Sequence, residues 1–223
     1  MNDAEAALLA WEMQTGAAAF KLPARRLRRP APTATLESLH EAPVPLRVVH
    51  DGHSIQVDDT VPSSVIHDGV TYDLTQFHFH SPSEHTIGGV SFDAEVHLVH
   101  KSKDGKLLVL AVLLKRGARN SVLKALWDTM PTAPTKEPIV VAGQTVDVQA
   151  LLPRSGRYAH YDGSLTVPPC TENVQWFVAL PESTSATELS AAQIAKLRSA
   201  LGPRSNRPLQ PANGRTPTLV TAK

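Results

Sequence analysis

Three histidines stand at spacings that could build a metal centre. His78 and His80 are two residues apart in the segment QFHFH, and His97 lies in the segment AEVHLVH. Both segments have the composition of β-strands, in which residues i and i+2 point to the same face about 7 Å apart. The turn-rich loop between them is long enough for an antiparallel return that brings His97 beside the pair. Three imidazoles without an evident fourth protein ligand predict an open zinc site that keeps one position for water.

Polar residues precede two of these histidines by the same interval. Gln76 is two residues before His78, and Glu95 is two residues before His97. Each could accept a hydrogen bond from the ring nitrogen that does not bind the metal, as outer partners of metal-bound histidines do. Glu84 follows the first pair closely, and from its position alone it could be a fourth ligand, a general base or an orienting acceptor.

Other candidate groups have weaker local signals. His53 follows a tight turn, where a lone histidine is usually a surface residue. Thr166 places a hydroxyl at the centre of the loop 163–169, which ends in two prolines. Three further histidines have no reactive groups around them in the sequence and are predicted to lie at the surface: His40, His67 and His160.

Composition excludes several classes of partner. The 223 residues have a formal net charge of +1, so no global field would recruit nucleic acid or a membrane surface. The longest aliphatic run, residues 107–114, is far shorter than the roughly 20 residues that span a bilayer. Cys170 is the only cysteine, which rules out a disulfide within the chain. No secretory signal is evident in this sequence, so as written it predicts a cytoplasmic location.

The pattern of the chain changes near residue 45. Residues 1–44 are predicted to be partly helical or disordered, with a helix over 2–16. Residues 45–223 predict a mainly β (α+β) domain with a central twisted, mostly antiparallel sheet, short peripheral helices and long loops. The predicted strands cover 46–50, 54–58, 64–67, 70–80, 91–101, 106–115, 139–141, 146–149 and 173–180, and the predicted helices cover 121–129 and 190–200.

Five separated motifs together resemble one family, the alpha-class carbonic anhydrases and especially their bacterial members. The motifs are residues 51–57 (DGHSIQV), 76–86 (QFHFHSPSEHT), 95–101 (EVHLVHK), 163–170 (GSLTVPPC) and 206–211 (NRPLQP). The resemblance covers about residues 45–215. It implies the fold described above and the reversible hydration of carbon dioxide to bicarbonate and a proton.

The resemblance also implies a role for each matched residue. His78, His80 and His97 match the Zn²⁺ ligands, and their outer partners match Gln76, Glu95 and the main chain around Asn206. Glu84 matches a buried carboxylate that orients the hydroxyl of Thr166, which in turn accepts the hydrogen of the zinc-bound hydroxide, and His53 matches the proton shuttle. The apolar pocket for carbon dioxide matches Val99, Val109, Leu165, Val174 and Trp176, and Val167 takes the place of a common threonine beside it. His85 and Tyr161 match a buried hydrogen-bonded pair.

Residues 1–44 lack the aromatic cluster, the cysteine and the Gln-Ser-Pro-Ile segment that the family carries before its core strands. The resemblance therefore predicts lower stability and less efficient proton transfer, with zinc binding retained. It also implies a possible homodimer, and relatives that are commonly periplasmic or secreted. Two alternative functions stay open: an inactive or poorly folded carbonic-anhydrase-like protein, and a cupin-type iron oxygenase in which Glu84 would bind the metal.

Overall fold

The strands that carry the three histidines lie in the middle of one large β-sheet. The computed structural model describes residues 36–181 and 184–222. Alternating burial accounts for several strands: in residues 44–50, Val44, Leu46 and Val48 are buried while the residues between them are half-buried. In residues 107–116 most side chains are buried on both faces, as expected of a strand in the middle of a covered sheet.

The described part of the chain contains fourteen strands, two α-helices and two 3-10 helices. In chain order the strands are β1 (Leu36–His40), β2 (Val44–His50), β3 (Ile55–Asp58), β4 (Ser64–His67), β5 (Val70–His80), β6 (Thr86–Ile87), β7 (Val90–Ser91), β8 (Ala94–Ser102), β9 (Leu107–Arg116), β10 (Ile139–Val146), β11 (Arg157–Ser164), β12 (Glu172–Ala179), β13 (Glu188–Leu189) and β14 (Thr218–Thr221). The helices are α1 (Lys124–Thr129) and α2 (Ala191–Leu201), and the 3-10 helices are Val148–Leu151 and Ser185–Thr187.

Twelve of these strands form the main sheet. Its order is β10-β2-β3-β5-β8-β9-β12-β11-β14, with β4 joining β1 to β5 and β13 lying beside β9. Most neighbours are antiparallel, whereas β9 runs parallel to β12 and to β13. The sheet is therefore mixed but mostly antiparallel, and the predicted fold class is confirmed.

Strand register brings the histidine motifs together. His78 of β5 lies directly opposite His97 of β8, and His80 lies opposite Glu95. On the other side of β5, Gln56 of β3 lies opposite His78. The loop that contains His53 therefore leads directly into a strand beside the histidine pair.

The middle strands separate two apolar clusters, one on each face. Leu98, Leu110 and Phe177 belong to the larger cluster. Their neighbours along the strands, including Val109 and Trp176, belong to the smaller one. Because successive side chains of a strand point to opposite faces, His97 lies on the same face as the smaller cluster.

Most predicted elements are present with shifted ends, and one is of a different type. The predicted strand over 146–149 is largely a 3-10 helix, because the Asp147 side chain accepts a hydrogen bond from the Ala150 N–H and turns the chain. Strands β1, β6, β11, β13 and β14 have no counterpart among the predicted strands. The predicted start of α2 is confirmed by a capping box between Ser190 and Gln193.

The sheet begins before the predicted boundary at residue 45. Strand β1 pairs with β4, and Val44 already belongs to β2. The Glu41 N–H donates to Gln149 Oε1 at 3.1 Å and the Ala42 N–H to Ser63 Oγ at 3.0 Å. Residues 36–44 thus belong to the folded domain, and the helix predicted over 2–16 lies outside the described residues. None of the described helices is long and apolar enough to cross a membrane.

Candidate metal centre

The rings of His78, His80 and His97 converge on one point. The Nε2 atoms of His78 and His80 are 3.1 Å apart. One nitrogen from each of the three rings lies within 4.8 Å of the other two. Two nitrogens bound to one tetrahedral zinc ion would be about 3.4 Å apart. The structure therefore brings the three predicted ligands together, and the spacing of the His78 and His80 nitrogens is close to the one that a single ion needs.

Hydrogen bonds behind the first two rings fix which nitrogen is free. His78 Nδ1 lies 2.8 Å from Gln76 Oε1, and His80 Nδ1 lies 2.8 Å from the main-chain oxygen of Ser205. Each partner can only accept at that atom, so each Nδ1 carries the hydrogen and donates it. Both Nε2 atoms then present lone pairs toward each other across 3.1 Å, an arrangement that favours a cation between them.

The acceptor behind His80 differs from the predicted one by a single residue. The sequence predicted the main chain around Asn206, whereas the carbonyl group of Ser205 takes this role. Asn206 Nδ2 instead donates to the main-chain oxygen of Ser83 at 3.2 Å. A main-chain acceptor leaves no side-chain signal in a sequence, which is why its position could be predicted only approximately.

The third ring is held by a carboxylate. His97 Nε2 lies 2.7 Å from Glu95 Oε1, which leaves Nδ1 of this ring to face the other two histidines. The same Glu95 oxygen lies 2.5 Å from His85 Nδ1, and Oε2 accepts the N–H groups of Glu84 and His85 at 2.9 and 2.8 Å. Glu95 is thus fully hydrogen-bonded, as a buried carboxylate requires.

Electrostatics favour neutral rings beside a charged carboxylate. Burial lowers the pKa of His78 well below its usual value, and the nearby His80 and His97 lower it further. Burial likewise lowers the pKa of His97 and outweighs the opposing effect of Glu95. Burial alone would raise the pKa of Glu95, but His85 and His97 hold it well below its usual value. Neutral imidazoles oriented by such partners are the form that binds a metal.

Glu84 lies behind the ligands and does not form the predicted bond to Thr166. Its Oε1 accepts the Arg207 N–H at 2.8 Å and lies 3.7 Å from His80 Nδ1. Its Oε2 is buried and has no hydrogen-bond partner among the residues that the structure describes. Because Glu84 lies beside the non-ligand nitrogen of His80, it is not placed as a ligand. The half-buried Thr166 makes no described hydrogen bond to Glu84 or to the three histidines.

His53 is exposed on a well-defined turn. Asp51 Oδ1 accepts the N–H groups of His53 and Ser54 at 2.7 and 2.6 Å. Burial alone would raise the pKa of Asp51, but these bonds and the Ser54 hydroxyl hold it below its usual value. The buried His50 adds a second restraint, because its Nδ1 accepts the Gly52 N–H and its Nε2 donates to the Ala200 carbonyl, both at 3.0 Å. No residue pattern in the sequence marks His50 for this role.

An apolar wall borders the three histidines. The His97 ring lies edge-on to Trp176, with ring centroids 4.9 Å apart. Trp176, Val109 and Val174 are buried in the smaller apolar cluster. Val99 and Leu165 pack against that cluster and are half-buried. Val167 is 53% exposed and lies outside it. Five of the six predicted pocket residues therefore share one apolar surface.

The histidines outside the triad include three that are buried or half-buried: His67, His85 and His160. His85 Nε2 lies 2.9 Å from the Tyr161 hydroxyl, so the expected pair is present. The prediction that His67 lies at the surface is wrong, because it is 4% exposed and packs against Phe177. His160 is half-buried against the same ring. A lone histidine in a strand leaves no signal for this packing.

The donor set fits a divalent zinc ion. All three candidate ligand atoms are imidazole nitrogens in rings oriented by hydrogen bonds, and no carboxylate joins this group among the described residues. Three histidines without a carboxylate among the described members of the group match the donor set of catalytic zinc centres rather than that of structural ones. The fold and site thus define a β-sheet protein with an open three-histidine metal centre.

Comparison with known proteins identifies the family. The family model described as eukaryotic-type carbonic anhydrase matches residues 24–219. A carbonic anhydrase of Klebsiella pneumoniae is 41% identical over 173 residues, which are 77% of this chain and 68% of that protein. The alpha-carbonic anhydrase of Thermovibrio ammonificans, solved with the inhibitor sulfanilamide, superposes with a TM-score of 0.76 at 37% identity, over 86% of this chain and 80% of the other. The chain belongs to this alpha-class carbonic anhydrase family, and its enzyme class is that of a carbonic anhydrase.

The family also includes relatives with another name. Dioscorin dioA3 of Dioscorea japonica is 34% identical over 177 residues, which are 78% of this chain and 64% of that protein. The likeness therefore reaches beyond proteins that are called carbonic anhydrases.

Proposed function

We propose that this chain binds one zinc ion through His78, His80 and His97 and catalyses the reversible hydration of carbon dioxide to bicarbonate and a proton. One observation carries this proposal. Each of the three rings has an acceptor behind it that turns a lone pair toward the same point. A bound zinc ion would supply Lewis acidity there, which lowers the pKa of a bound water toward neutrality.

The protein's own residues hold and tune this centre. Gln76 and the Ser205 carbonyl are neutral acceptors, whereas Glu95 adds a negative charge behind His97. The charge makes His97 a stronger donor than the other two rings. This arrangement supports tight metal binding with one position left for the reacting water.

The apolar wall suits an uncharged substrate. Carbon dioxide carries no charge, so a surface formed by Val109, Val174 and Trp176 can hold it without a charged anchor. Trp176 lies against the His97 ring, so in our proposal this apolar surface would border the bound metal. The exposed Val167 would border the outer side of the pocket, where bicarbonate leaves.

Glu84 and Thr166 would orient the reacting oxygen. Glu84 Oε2 is buried without a described partner, and leaving a buried carboxylate oxygen unpaired is costly. A hydroxyl that donated to this oxygen would remove the cost and would turn its own lone pair toward the site. We assign this role to Thr166, on the loop after β11; because no hydrogen bond between Thr166 and Glu84 is present among the described residues, the role requires the Thr166 hydroxyl to turn toward Glu84 Oε2.

His53 would carry the proton away. It is exposed, whereas the three ligands are largely buried, so it can exchange protons with buffer. Histidine is the side chain that ordinarily changes charge between pH 5 and 8. The Asp51 turn and the His50 contacts restrict the loop that presents it.

The second candidate function is a carbonic-anhydrase-like protein without hydration activity. A relative that is 34% identical has a name other than carbonic anhydrase, so membership of the family is tested separately from hydration activity. The cupin-type oxygenase is disfavoured, because Glu84 lies at the non-ligand nitrogen of His80 rather than at the converging atoms.

Stopped-flow measurement of carbon dioxide hydration separates the two candidates. The full chain is assayed after zinc loading, after removal of zinc by a chelator and after zinc is restored. We expect activity that follows the zinc content, and a His53→Ala variant whose turnover is raised by added imidazole buffer. A chain that binds zinc but hydrates carbon dioxide no faster than buffer does would support the second candidate.

A further inference from the structure

A reciprocal pair of hydrogen bonds joins the end of β5 to the segment after α2. The Ser205 N–H donates to the Ser81 carbonyl oxygen at 3.0 Å. In return the Ser81 N–H donates to the Ser205 hydroxyl oxygen at 2.9 Å. Ser81 is completely buried, so its N–H has no access to solvent as a substitute. We call these two bonds the Ser81–Ser205 clamp.

Both residues of the clamp are directly connected to the candidate metal ligand His80. Ser81 directly follows His80 in the chain, and the Ser205 carbonyl accepts the His80 Nδ1 hydrogen at 2.8 Å. His80 is therefore restrained twice by the same segment: its ring is held by Ser205 O, and its own main chain leads into the clamp. Any shift of Ser205 relative to β5 would turn the ring and displace its Nε2.

The Ser81 hydroxyl makes hydrogen bonds outside the clamp. The Ser81 hydroxyl donates to the Asp93 carbonyl oxygen at 2.8 Å and accepts from Arg198 Nε at 3.2 Å. Arg198 Nη2 also lies 3.4 Å from Asp93 Oδ1. These bonds connect Ser81 to Asp93, just before β8, and to α2, but they do not involve Ser205. The two serines thus contribute differently: Ser205 uses its hydroxyl in the clamp, and Ser81 uses only its main chain.

We propose that the Ser205 hydroxyl is a positioning group for the metal ligand His80. By accepting the Ser81 N–H it fixes the Ser205 carbonyl at the distance and angle that hold the His80 ring. The inference rests on the proposed zinc site, and it assigns to a side chain a role that the sequence suggested only for a main-chain group nearby. The zinc dissociation constant tests this positioning role directly, without any measurement of turnover.

Three variants test the proposal against a merely structural role. Ser205→Ala removes the acceptor in the clamp, Ser205→Thr keeps it, and Ser81→Ala removes a neighbouring hydroxyl while leaving both clamp bonds possible. Each full-length variant is stripped of metal, and its zinc dissociation constant is measured by competition with a chromophoric chelator. Thermal unfolding of the metal-free and zinc-loaded forms is recorded in parallel.

We expect Ser205→Ala to weaken zinc binding by about tenfold, at the low end of the 10–100-fold loss seen for outer partners of metal ligands. Ser205→Thr and Ser81→Ala should stay within about threefold of the wild type, because both keep the acceptor that the clamp needs. Unchanged zinc affinity in Ser205→Ala would overturn the proposal, and so would an equal loss in Ser81→Ala. If Ser205→Thr does not fold, the comparison of Ser205→Ala with Ser81→Ala decides the outcome.

Failure of this inference is distinguishable from failure of the proposed function. If the wild-type chain binds no zinc, the proposed metal centre itself is wrong. If the wild type binds zinc and hydrates carbon dioxide while Ser205→Ala binds zinc equally well, only the role of the clamp is wrong.

Discussion

Two groups of histidines lie on opposite faces of the same sheet. The first is the metal triad, whose ring centroids are 4.7–5.2 Å apart. The second is the His67–His160 pair, whose ring centroids are 5.3 Å apart, nearly as close. Tyr161 and Trp176 point toward the triad, while the neighbouring His160 and Phe177 point away from it.

The two groups differ in the number of ring nitrogens that converge on one point rather than in the distance between the rings. Each triad ring has an acceptor that fixes its tautomer and directs a lone pair at the common centre. In the second group His160 Nε2 lies 2.8 Å from Gln175 Oε1, and both rings pack against Phe177. No third ligand completes a metal group around His67 and His160 in the described residues. Proximity of imidazoles therefore does not make a metal site unless their lone pairs converge.

The largest effect should come from removing one ring in each group. His97→Ala leaves two ligands and exposes the Glu95 charge, so we expect zinc affinity to fall by more than about 100-fold and hydration to disappear. His160→Ala should keep one zinc per chain and wild-type hydration. Metal analysis after dialysis and stopped-flow assays check both variants. Stoichiometric zinc in His97→Ala, or its loss in His160→Ala, would reverse the assignment of the two groups.

A smaller effect should follow from changing the partners behind the rings. Glu95→Gln keeps the shape of the side chain but removes its charge and one acceptor oxygen. We expect it to weaken zinc binding by about 10–100-fold. Gln175→Ala is the matched control in the second group and should leave zinc affinity unchanged. Equal zinc affinity in Glu95→Gln and the wild type would show that proximity of the rings is sufficient after all.

The smallest effect should be a change in the pH dependence of stability. Burial lowers the pKa of His160 below its usual value, and His67 lowers it further, against Gln175 and the charges of Asp162 and Asp68. The folded chain then keeps His160 neutral where the unfolded chain is protonated. This contribution is fully present above about pH 6.5 and is lost as the pH falls toward the lowered value.

Urea unfolding at several pH values between 7.5 and 5 tests this sign. In His160→Gln the free energy of unfolding should fall less steeply below about pH 6.5, by a part of the roughly 1.4 kcal/mol per pH unit that one proton can contribute. The metal-free protein is used, so that zinc release does not add to the slope. A steeper fall in His160→Gln than in the wild type would contradict the assignment.

The triad could be predicted from the sequence because both of its strands have a clear pattern. His78 and His80, two residues apart, lie on the same face of β5. Gln76 and Glu95, each two residues before a histidine, make the predicted contacts with the rings of His78 and His97. The aliphatic strand β9 was equally clear. Strand β11 was not predicted, because Arg157–Ser164 mixes polar and aromatic residues without alternation.

The features that could not be predicted from the sequence depend on contacts between segments that are distant in the chain. The acceptor at Ser205 is a carbonyl group 125 residues from His80. The burial of His67 depends on Phe177, which is on a strand that is not its neighbour in the sheet. Likewise the Arg207 N–H, rather than a side chain near Glu84, takes one of that carboxylate's oxygens. These contacts depend on the tertiary arrangement of strands and loops, which the local spacing of residues does not predict.

The tautomers of the three triad rings test the account most directly. Long-range ¹H–¹⁵N correlation spectra of the zinc-loaded, ¹⁵N-labelled protein report which nitrogen of each histidine carries hydrogen and which binds metal. The account predicts hydrogen on Nδ1 of His78 and His80 and on Nε2 of His97, with zinc bound at the remaining nitrogen of each ring. Spectra in which any of these rings keeps its metal-free nitrogen shifts after one equivalent of zinc, or binds zinc through the other nitrogen, would contradict it.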